Sequence, residues 1–209
     1  MRRAILEPVG IAVLAKAPIP GLAKTRLIPA LGAAGAAALQ ARLIVSTVET
    51  AYAAATGPVT LWVTPDPTHT VFRDVAARFR LSVRRQPDGD LGLRMLAAVA
   101  AAAAPTLVIG TDCPALTAGH LADAATALRE GFDAVVIPAE DGGYVLIGLR
   151  RPEPAVFAGT TWSTDTVMAE TRARLAGLGL RWRELAPLWD VDRPEDLVRM
   201  VGLERPRGG

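Results

Sequence analysis

The stretch KAPIPGLAKTRL, Lys16–Leu27, places three cations, two prolines and a glycine directly after a short apolar run. Cations so spaced can hold nucleotide phosphates. A guanidinium such as Arg26 makes two parallel bonds to one phosphate, and Lys16 and Lys24 add point charge. Gly21 leaves room for a ligand to approach the backbone. The Gly-x-x-Lys-Thr core is not a Walker A loop, which has glycine immediately before the lysine. Here Ala23 takes that place, and Pro18 and Pro20 stiffen the part that would wrap a phosphate. On spacing alone, a phosphate-binding loop and a solvated basic turn stand level.

Further stretches supply acids. In Gly110-Thr111-Asp112-Cys113-Pro114 one carboxylate sits just past an apolar run. A magnesium ion carrying phosphates takes only one or two protein carboxylates, and Asp112 suits that role. It also suits a helix cap, but the next helix is expected to begin near Thr117, so the metal role is preferred. In WDVDRPEDL, Trp189–Leu197, Asp190 and Asp192 point the same way if the segment is extended. Either can be the second carboxylate, and Asp192, just before a helix-opening proline, equally suits a cap. EDGGY, Glu140–Tyr144, fits a tight hairpin turn. Its functional alternative is a substrate loop, with Gly142, Gly143 and Tyr144 at the transferred group and Asp141 as a base. In QPDGDLGLRM, Gln86–Met95, a strand runs into a helix whose first NH groups can face a nucleotide, making Gln86, Gly89 and Asp90 candidates. A plain turn capped by Asp90 fits this stretch somewhat better. Trp162, beside Ser163 and Thr164, lines an acceptor pocket or belongs to the core. His69 and His120 read as surface or capping residues.

These loops need strands to end on. Val9–Ala15, Val59–Val63, Leu81–Arg85, Thr106–Gly110 and Ala134–Pro138 are short runs rich in Val, Ile and Leu, mostly without polar alternation, as in strands covered on both faces. Helical spacing marks Ala33–Ala55, Thr70–Arg78, Leu91–Ala104 and Ala118–Arg129 between them, which implies βαβ units and a largely parallel sheet. After Pro138 the pattern changes. Tyr144–Leu149 has no helix before it and can run antiparallel. A bend at Arg151–Pro154, a helix near Thr164–Leu178, a strand near Arg181–Leu185 and a short helix from Pro194 follow. The expected fold class is α/β, a single three-layer α/β/α domain over the whole chain with a mostly parallel mixed sheet and a frayed tail at 204–209.

Composition narrows the function. The 209 residues, 51% hydrophobic, allow a sizeable core, and the net charge of +2 comes without the basic stripe of a nucleic-acid binder. The single cysteine, Cys113, excludes an intrachain disulfide and a cysteine-based zinc cluster, and fits a reducing cytoplasm. Arg2 and Arg3 hint at a signal peptide, but Glu7 and Pro8 interrupt it and Lys16 ends the apolar run. Met95–Ala104, read as the longest apolar run, is too short and Ala-rich for a membrane span.

KAPIPGLAKTRL, QPDGDLGLRM, GTDCPAL, EDGGYVLIGL and WDVDRPEDL, in this order, resemble a bacterial family of candidate glycosyltransferases, some named for arsenosugar biosynthesis. That family belongs to the nucleotide-diphospho-sugar transferase superfamily, whose fold is called GT-A. The resemblance runs from Val9 to Val201. The first half is also similar to 2-phospho-L-lactate guanylyltransferase, and more distantly to the molybdenum-cofactor guanylyltransferase. The resemblance implies that Lys24 and Arg26 hold nucleotide phosphates and that Asp112 and Asp192 bind Mg2+ or Mn2+. It also implies that Gln86, Gly89 and Asp90 lie near the base or ribose. The phospholactate enzymes carry a Gly-Thr-Asn loop where this chain has Asp141-Gly142-Gly143-Tyr144, so their substrate does not carry over. The expected function is a metal-dependent transferase using a nucleotide-sugar and a small acceptor. The alternatives are a nucleotidyltransferase releasing pyrophosphate and a non-catalytic nucleotide-binding protein.

Overall fold

The computed structural model describes residues 7–103 and 105–203. The signal-like start and the tail at 204–209 lie outside the described residues. Seven strands form one sheet in the order β3-β2-β1-β4-β6-β5-β7: β1 Gly10–Lys16, β2 Val59–Thr64, β3 Ser82–Arg85, β4 Thr106–Ile109, β5 Ala134–Pro138, β6 Tyr144–Leu149 and β7 Trp182–Glu184. All pairs are parallel except those of β6, which runs antiparallel to both β4 and β5. No helix separates β5 from β6, so the chain can only turn back on itself there.

The inner strands alternate between two buried faces, while the edge strands β3 and β7 are largely exposed or half-buried. Ile11, Val13, Leu107, Ile109, Val135 and Ile137 face one layer, and Ala12, Leu14, Val108, Val136 and Ile147 face the other. The first layer holds α1 (Ile28–Ala53), α2 (Thr70–Phe79) and α4 (Ala118–Arg129), through Ile44, Val48, Phe72, Leu121 and Leu128. The second holds α3 (Leu91–Ala100), α5 (Pro154–Phe157) and α6 (Val167–Gly177), through Met95, Val99, Phe157, Met168 and Leu175. Each fully buried Leu, Ile or Phe contributes about 1.5–3 kcal/mol. This is the three-layer α/β/α architecture expected from the strand pattern.

The differences in helix bounds have local causes. α1 begins before the expected Ala33, but Gly32 breaks it at φ 68°, and regular winding resumes at Ala33. The expected bend is present at Arg150–Arg151, and α5 follows it, with Pro154 in its first turn and Glu153 capping it. Residues 25–53 are long and apolar enough to cross a membrane, which the sequence reading attributed to no segment. Here that apolarity serves two contacts. Ile44, Val48 and Ala51 pack on the sheet layer, while Leu39 and Leu43 join Val191 in a smaller cluster that anchors the segment leading to α7 (Leu197–Leu203).

His69 caps α2 by accepting from the Val71 amide, and His120 shares a capping box with Thr117 at the start of α4. In β6, Gly148 sits under Leu107 and Val135 of its neighbours, and a Cβ there would lie 2.6 Å from each side chain. Gly148→Ala is therefore expected to lower stability by about 1–3 kcal/mol through overpacking. Urea unfolding monitored by circular dichroism reads this as a lower midpoint at unchanged slope.

Candidate functional site

β1 leads to β2 on one side of the sheet while β4 lies on its other side, so the connections leaving their carboxyl ends part and leave a crevice. A cleft of about 580 Å³ opens there, lined by Lys16, Lys24, Arg26, Asp112, Asp141 and Asp190, among others. A second lobe, of about 730 Å³, continues past these carboxylates and is bounded by Trp162, Asp165, Trp189 and Arg193. Arg26, Asp112, Asp141, Asp190 and Asp192 line both lobes and form the wall between them.

Lys24 is the junction of this wall. Its side chain is 5% exposed, and its Nζ lies 2.5 Å from Asp112 Oδ1 and donates to the Val191 carbonyl at 2.5 Å. The Val191 amide in turn donates to the Asp112 carbonyl at 2.8 Å. One ammonium thus joins the loop after β1, the loop after β4 and the segment before α7. Lys24 itself is left-handed, at φ 48°, ψ 45°, which costs a lysine about 1–2 kcal/mol. The charge-assisted contacts offset that strain. The sequence reading aimed Lys24 at phosphates; in the structure it faces the Asp112 carboxylate.

Arg26, exposed, pairs with Asp192, and this contact raises the guanidinium pKa further. Asp192 therefore sits at a cation already present, and it is not the cap of the turn at Pro194–Asp196. Asp196 takes that role, accepting from the Asp192 and Arg193 amides at 3.0 and 2.7 Å. Asp190 is the more crowded acid. Partial burial, then the Asp141 and Asp112 charges, push its carboxyl up to about 6, with Lys24 acting in the opposite direction. Burial pushes the Cys113 thiol up to about 12, so it is no nucleophile near neutral pH.

The Asp141 loop is fixed from both sides. Asp141 Oδ1 accepts from the Gly143 amide at 2.9 Å, and the Gly142 carbonyl accepts from the Met168 amide at 2.8 Å. Gly142 adopts φ 93°, and a Cβ there would run into the Asp165 carbonyl, so no other residue fits without moving the loop. Burial raises the Tyr144 phenol, which stays neutral. Its hydroxyl points at Met95 Sδ, 3.8 Å away, and its ring meets Trp162 edge-on at 6.4 Å. Trp162 is half core and half wall: it packs against the second apolar layer and lines the second lobe.

Other expected site residues sit differently. Gln86 lines the cleft, but its amide nitrogen is held by the Trp62 and Ala15 carbonyls at 2.9 and 3.3 Å, stitching β1 to β2. Asp90 caps α3, accepting from the Leu93 amide, and neither it nor Gly89 lines the cleft; Leu91, Arg94 and Met95 do. Gly21 takes φ 83° with open space where a Cβ would stand, and it is the neighbouring Leu22 and Ala23 that line the cleft. One contributor escaped the sequence reading. Gln40, 3% exposed on α1, donates to Thr111 Oγ1 at 3.0 Å beneath Asp112; a lone amide in an apolar helix stripe was its signal. Ser163, named with Trp162 and Thr164 in the sequence analysis, lines both lobes at φ 65°.

No group of three or more His, Cys, Asp or Glu stands ready to hold a metal among the described residues. The donor set still fits a hard divalent cation carried by phosphates: Asp112 is half exposed, and Asp190 is crowded by like charge. Such an ion needs only one or two carboxylates from the protein.

Residues 47–164 match the family described as "Uncharacterized protein conserved in bacteria (DUF2064)". No curated protein matches the sequence. Among solved structures, a candidate nucleotide-diphospho-sugar transferase from Desulfovibrio desulfuricans G20 superposes with a TM-score of 0.85 at 26% identity, over 96% of this chain and 89% of that one. The 4-diphosphocytidyl-2C-methyl-D-erythritol synthase of Anaerococcus prevotii DSM 20548 shares the fold, at TM-score 0.65 and 12% identity, over 97% and 100% of the two chains. So does glucosyl-3-phosphoglycerate synthase of Mycobacterium tuberculosis, solved with Mn2+ and UDP, at TM-score 0.57 and 12% identity, over 92% and 75%. The fold is that of nucleotide-diphospho-sugar transferases.

The Asp190 carboxyl yields a signed pH dependence. Between its ordinary 3.8 and about 6, the folded chain keeps a proton that the unfolded chain has lost. Raising the pH through that window therefore removes stability, and above it the native state carries an ionised carboxylate among its like. Asp190→Asn is expected to melt higher than wild type at neutral pH, with the gap closing as the pH falls below 3.8. Added Mn2+ is expected to raise the wild-type melting temperature more above that window than within it. Differential scanning fluorimetry across pH checks both, and a gap independent of pH sinks the assignment.

Proposed function

The chain belongs to the DUF2064 family, and from its fold and cleft we propose that it is a divalent-metal-dependent transferase acting on a nucleotide-sugar. One observation carries this reading. Lys24 paired with Asp112 and Arg26 paired with Asp192 line, together with Asp190, a cleft at the carboxyl ends of β1 and β4. The solved structures of similar fold, one a candidate nucleotide-diphospho-sugar transferase and one holding Mn2+ and UDP, support it.

Asp112, with Asp190 or Asp192, would hold the Mg2+ or Mn2+ ion. The ion would supply positive charge where the leaving diphosphate develops negative charge. The first lobe receives the nucleotide, with Lys16, Lys24 and Arg26 near its phosphates. Lys24 and Arg26 begin paired with carboxylates. When the cation and the phosphates enter together, the carboxylates can turn to the cation and the two side chains to the phosphates, so no charge is left alone. In glycosyl transfer, an acceptor hydroxyl from the second lobe forms a bond to the anomeric carbon. The bond from that carbon to the diphosphate oxygen breaks, and its electron pair leaves with the diphosphate. The hydroxyl proton passes to a carboxylate, and Asp141 is the candidate. It faces both lobes, and its loop cannot drift because Gly142 is wedged under Asp165. A cytoplasmic setting accords with the single, buried Cys113.

The fold shared with a diphosphocytidyl transferase favours a second reading, nucleotidyl transfer with pyrophosphate release. There the same cations would stabilise charge at the α-phosphate, and no strong base is required. The specific likeness to arsenosugar-type and guanylyltransferase families belongs to these two readings respectively.

Two assays separate them. With Mg2+ and a panel of nucleotide-sugars, the first reading expects free nucleoside diphosphate. With nucleoside triphosphates and phosphorylated acids, the second expects pyrophosphate, and pyrophosphate without sugar turnover removes the first. Asp112→Asn should lower turnover by about 10²-fold or more while the melting temperature changes little. Full activity in that variant, or no thermal shift with any nucleotide and Mg2+, defeats the transferase reading.

A further inference from the structure

The second lobe differs from the first in charge, and that difference bears on what enters it. Seven carboxylates and three arginines line it. Two of the arginines are already committed. Arg26 pairs with Asp192, and Arg199 makes two bonds to Glu140, at 2.7 and 3.0 Å, while lying 4.4 Å over the Trp189 ring. The Glu140 carboxyl is held below the usual range by that bidentate contact, so the pair stays closed at neutral pH. Asp196 spends one oxygen on two backbone amides. What remains facing the lobe is Asp141, Asp165 and Asp190 against Arg193. Any cation bound at Asp112 would be engaged by the diphosphate on the other side of the wall. The rest of the surface is apolar or neutral: the Trp162 and Trp189 indoles, the neutral Tyr144 hydroxyl, and Ser163 and Thr164.

We propose that this lobe admits an uncharged, hydroxyl-rich acceptor of sugar or polyol type and excludes phosphorylated and carboxylated ones. The proposal rests on the reading of the cleft as a transferase site with its acceptor side in this lobe. Recognition follows from the surface. The Trp162 indole can pack on the C–H face of a sugar ring, while Trp189 carries Arg199 over its own ring, and carboxylates accept bonds from the sugar hydroxyls. Exclusion follows from repulsion: a phosphate in the lobe would lose its water and meet three carboxylates, Asp141, Asp165 and Asp190, with Arg193 alone to offset them. An enzyme evolved for a phosphorylated acid would instead present open arginines in excess of its carboxylates, to bind the phosphate bidentately.

The test reads binding without any donor, so it stands whether or not sugar turnover is found. Intrinsic tryptophan fluorescence is titrated with free hexoses, pentoses and glycerol, and in parallel with the same compounds carrying a phosphate. Trp162→Phe and Trp189→Phe assign the signal to the lobe. At least one neutral compound is expected to perturb the lobe tryptophans, and its phosphate to bind about tenfold more weakly or not at all. Asp165→Lys, checked for folding by circular dichroism, is expected to narrow that gap by strengthening the phosphate's binding. Equal or tighter binding of the phosphorylated partner overturns the proposal, as does the absence of any neutral ligand, or an Asp165→Lys variant that folds and leaves the preference unchanged.

Discussion

The Lys24 ammonium, held between the Asp112 carboxylate and the Val191 carbonyl, is the contact on which the geometry of the cleft depends. A charge this buried is tolerated only when paired and hydrogen-bonded. Meeting that requirement here brings together loops separated by 167 positions in the chain. The sheet alone would not do so: β1 and β4 are neighbours, but the segment before α7 belongs to no strand of the sheet. Val191 is fully buried among Leu27, Leu39 and Leu43, so apolar packing brings the segment close and Lys24 sets its register. The carboxylates at 190 and 192 then face the cleft because the residue between them points into the core.

From that register follows the division of the cleft into two lobes. The carboxylates that crowd Asp190 are the ones that separate the lobes, and their mutual repulsion is relieved in part by Lys24. The arrangement is stable only as a set of pairs, and a binding partner must bring both signs of charge to replace them. A bare phosphate would compete for Lys24 and Arg26 while stranding Asp112 and Asp192. A bare cation would strand the ammonium and the guanidinium. A metal–nucleotide complex strands neither.

Much of this was legible in the sequence. The strand set, the antiparallel turn of β6 and the helix start at Thr117 follow from apolar runs, from the missing helix after Pro138 and from capping chemistry. The cleft's composition was legible because Lys24, Arg26, Asp112, Asp141 and Asp190 all fall just past strand ends, or in the polar segment before the last helix. What was not legible is which charge faces which. Spacing places Lys24 on a loop, but its left-handed backbone and its partner 88 positions away arise only from tertiary packing. The same holds for Asp90, where the choice between helix cap and ligand is decided by the direction of α3 relative to the cleft. Ser163 shows the limit most plainly: its positive φ is imposed by the surrounding loop, and no property of serine announces it.

The two readings of the chemistry place different demands on this wall. Nucleotidyl transfer needs cations at the α-phosphate and asks nothing of the far lobe beyond an anionic attacking group. Glycosyl transfer needs a proton acceptor on the far side and a leaving diphosphate on the near side. In the proposed reading Asp141 would meet the first demand, since one of its oxygens accepts from the Gly143 amide and the other is left for a substrate. Lys24 and Arg26 meet the second from the near side. An anionic attacking group, by contrast, would have to cross a lobe where two of three arginines are bound to Glu140 and Asp192, leaving Arg193 alone against Asp141, Asp165 and Asp190. The excess of carboxylates over open arginines in the far lobe, more than the identity of any single residue, is what supports the proposed transfer to a neutral hydroxyl.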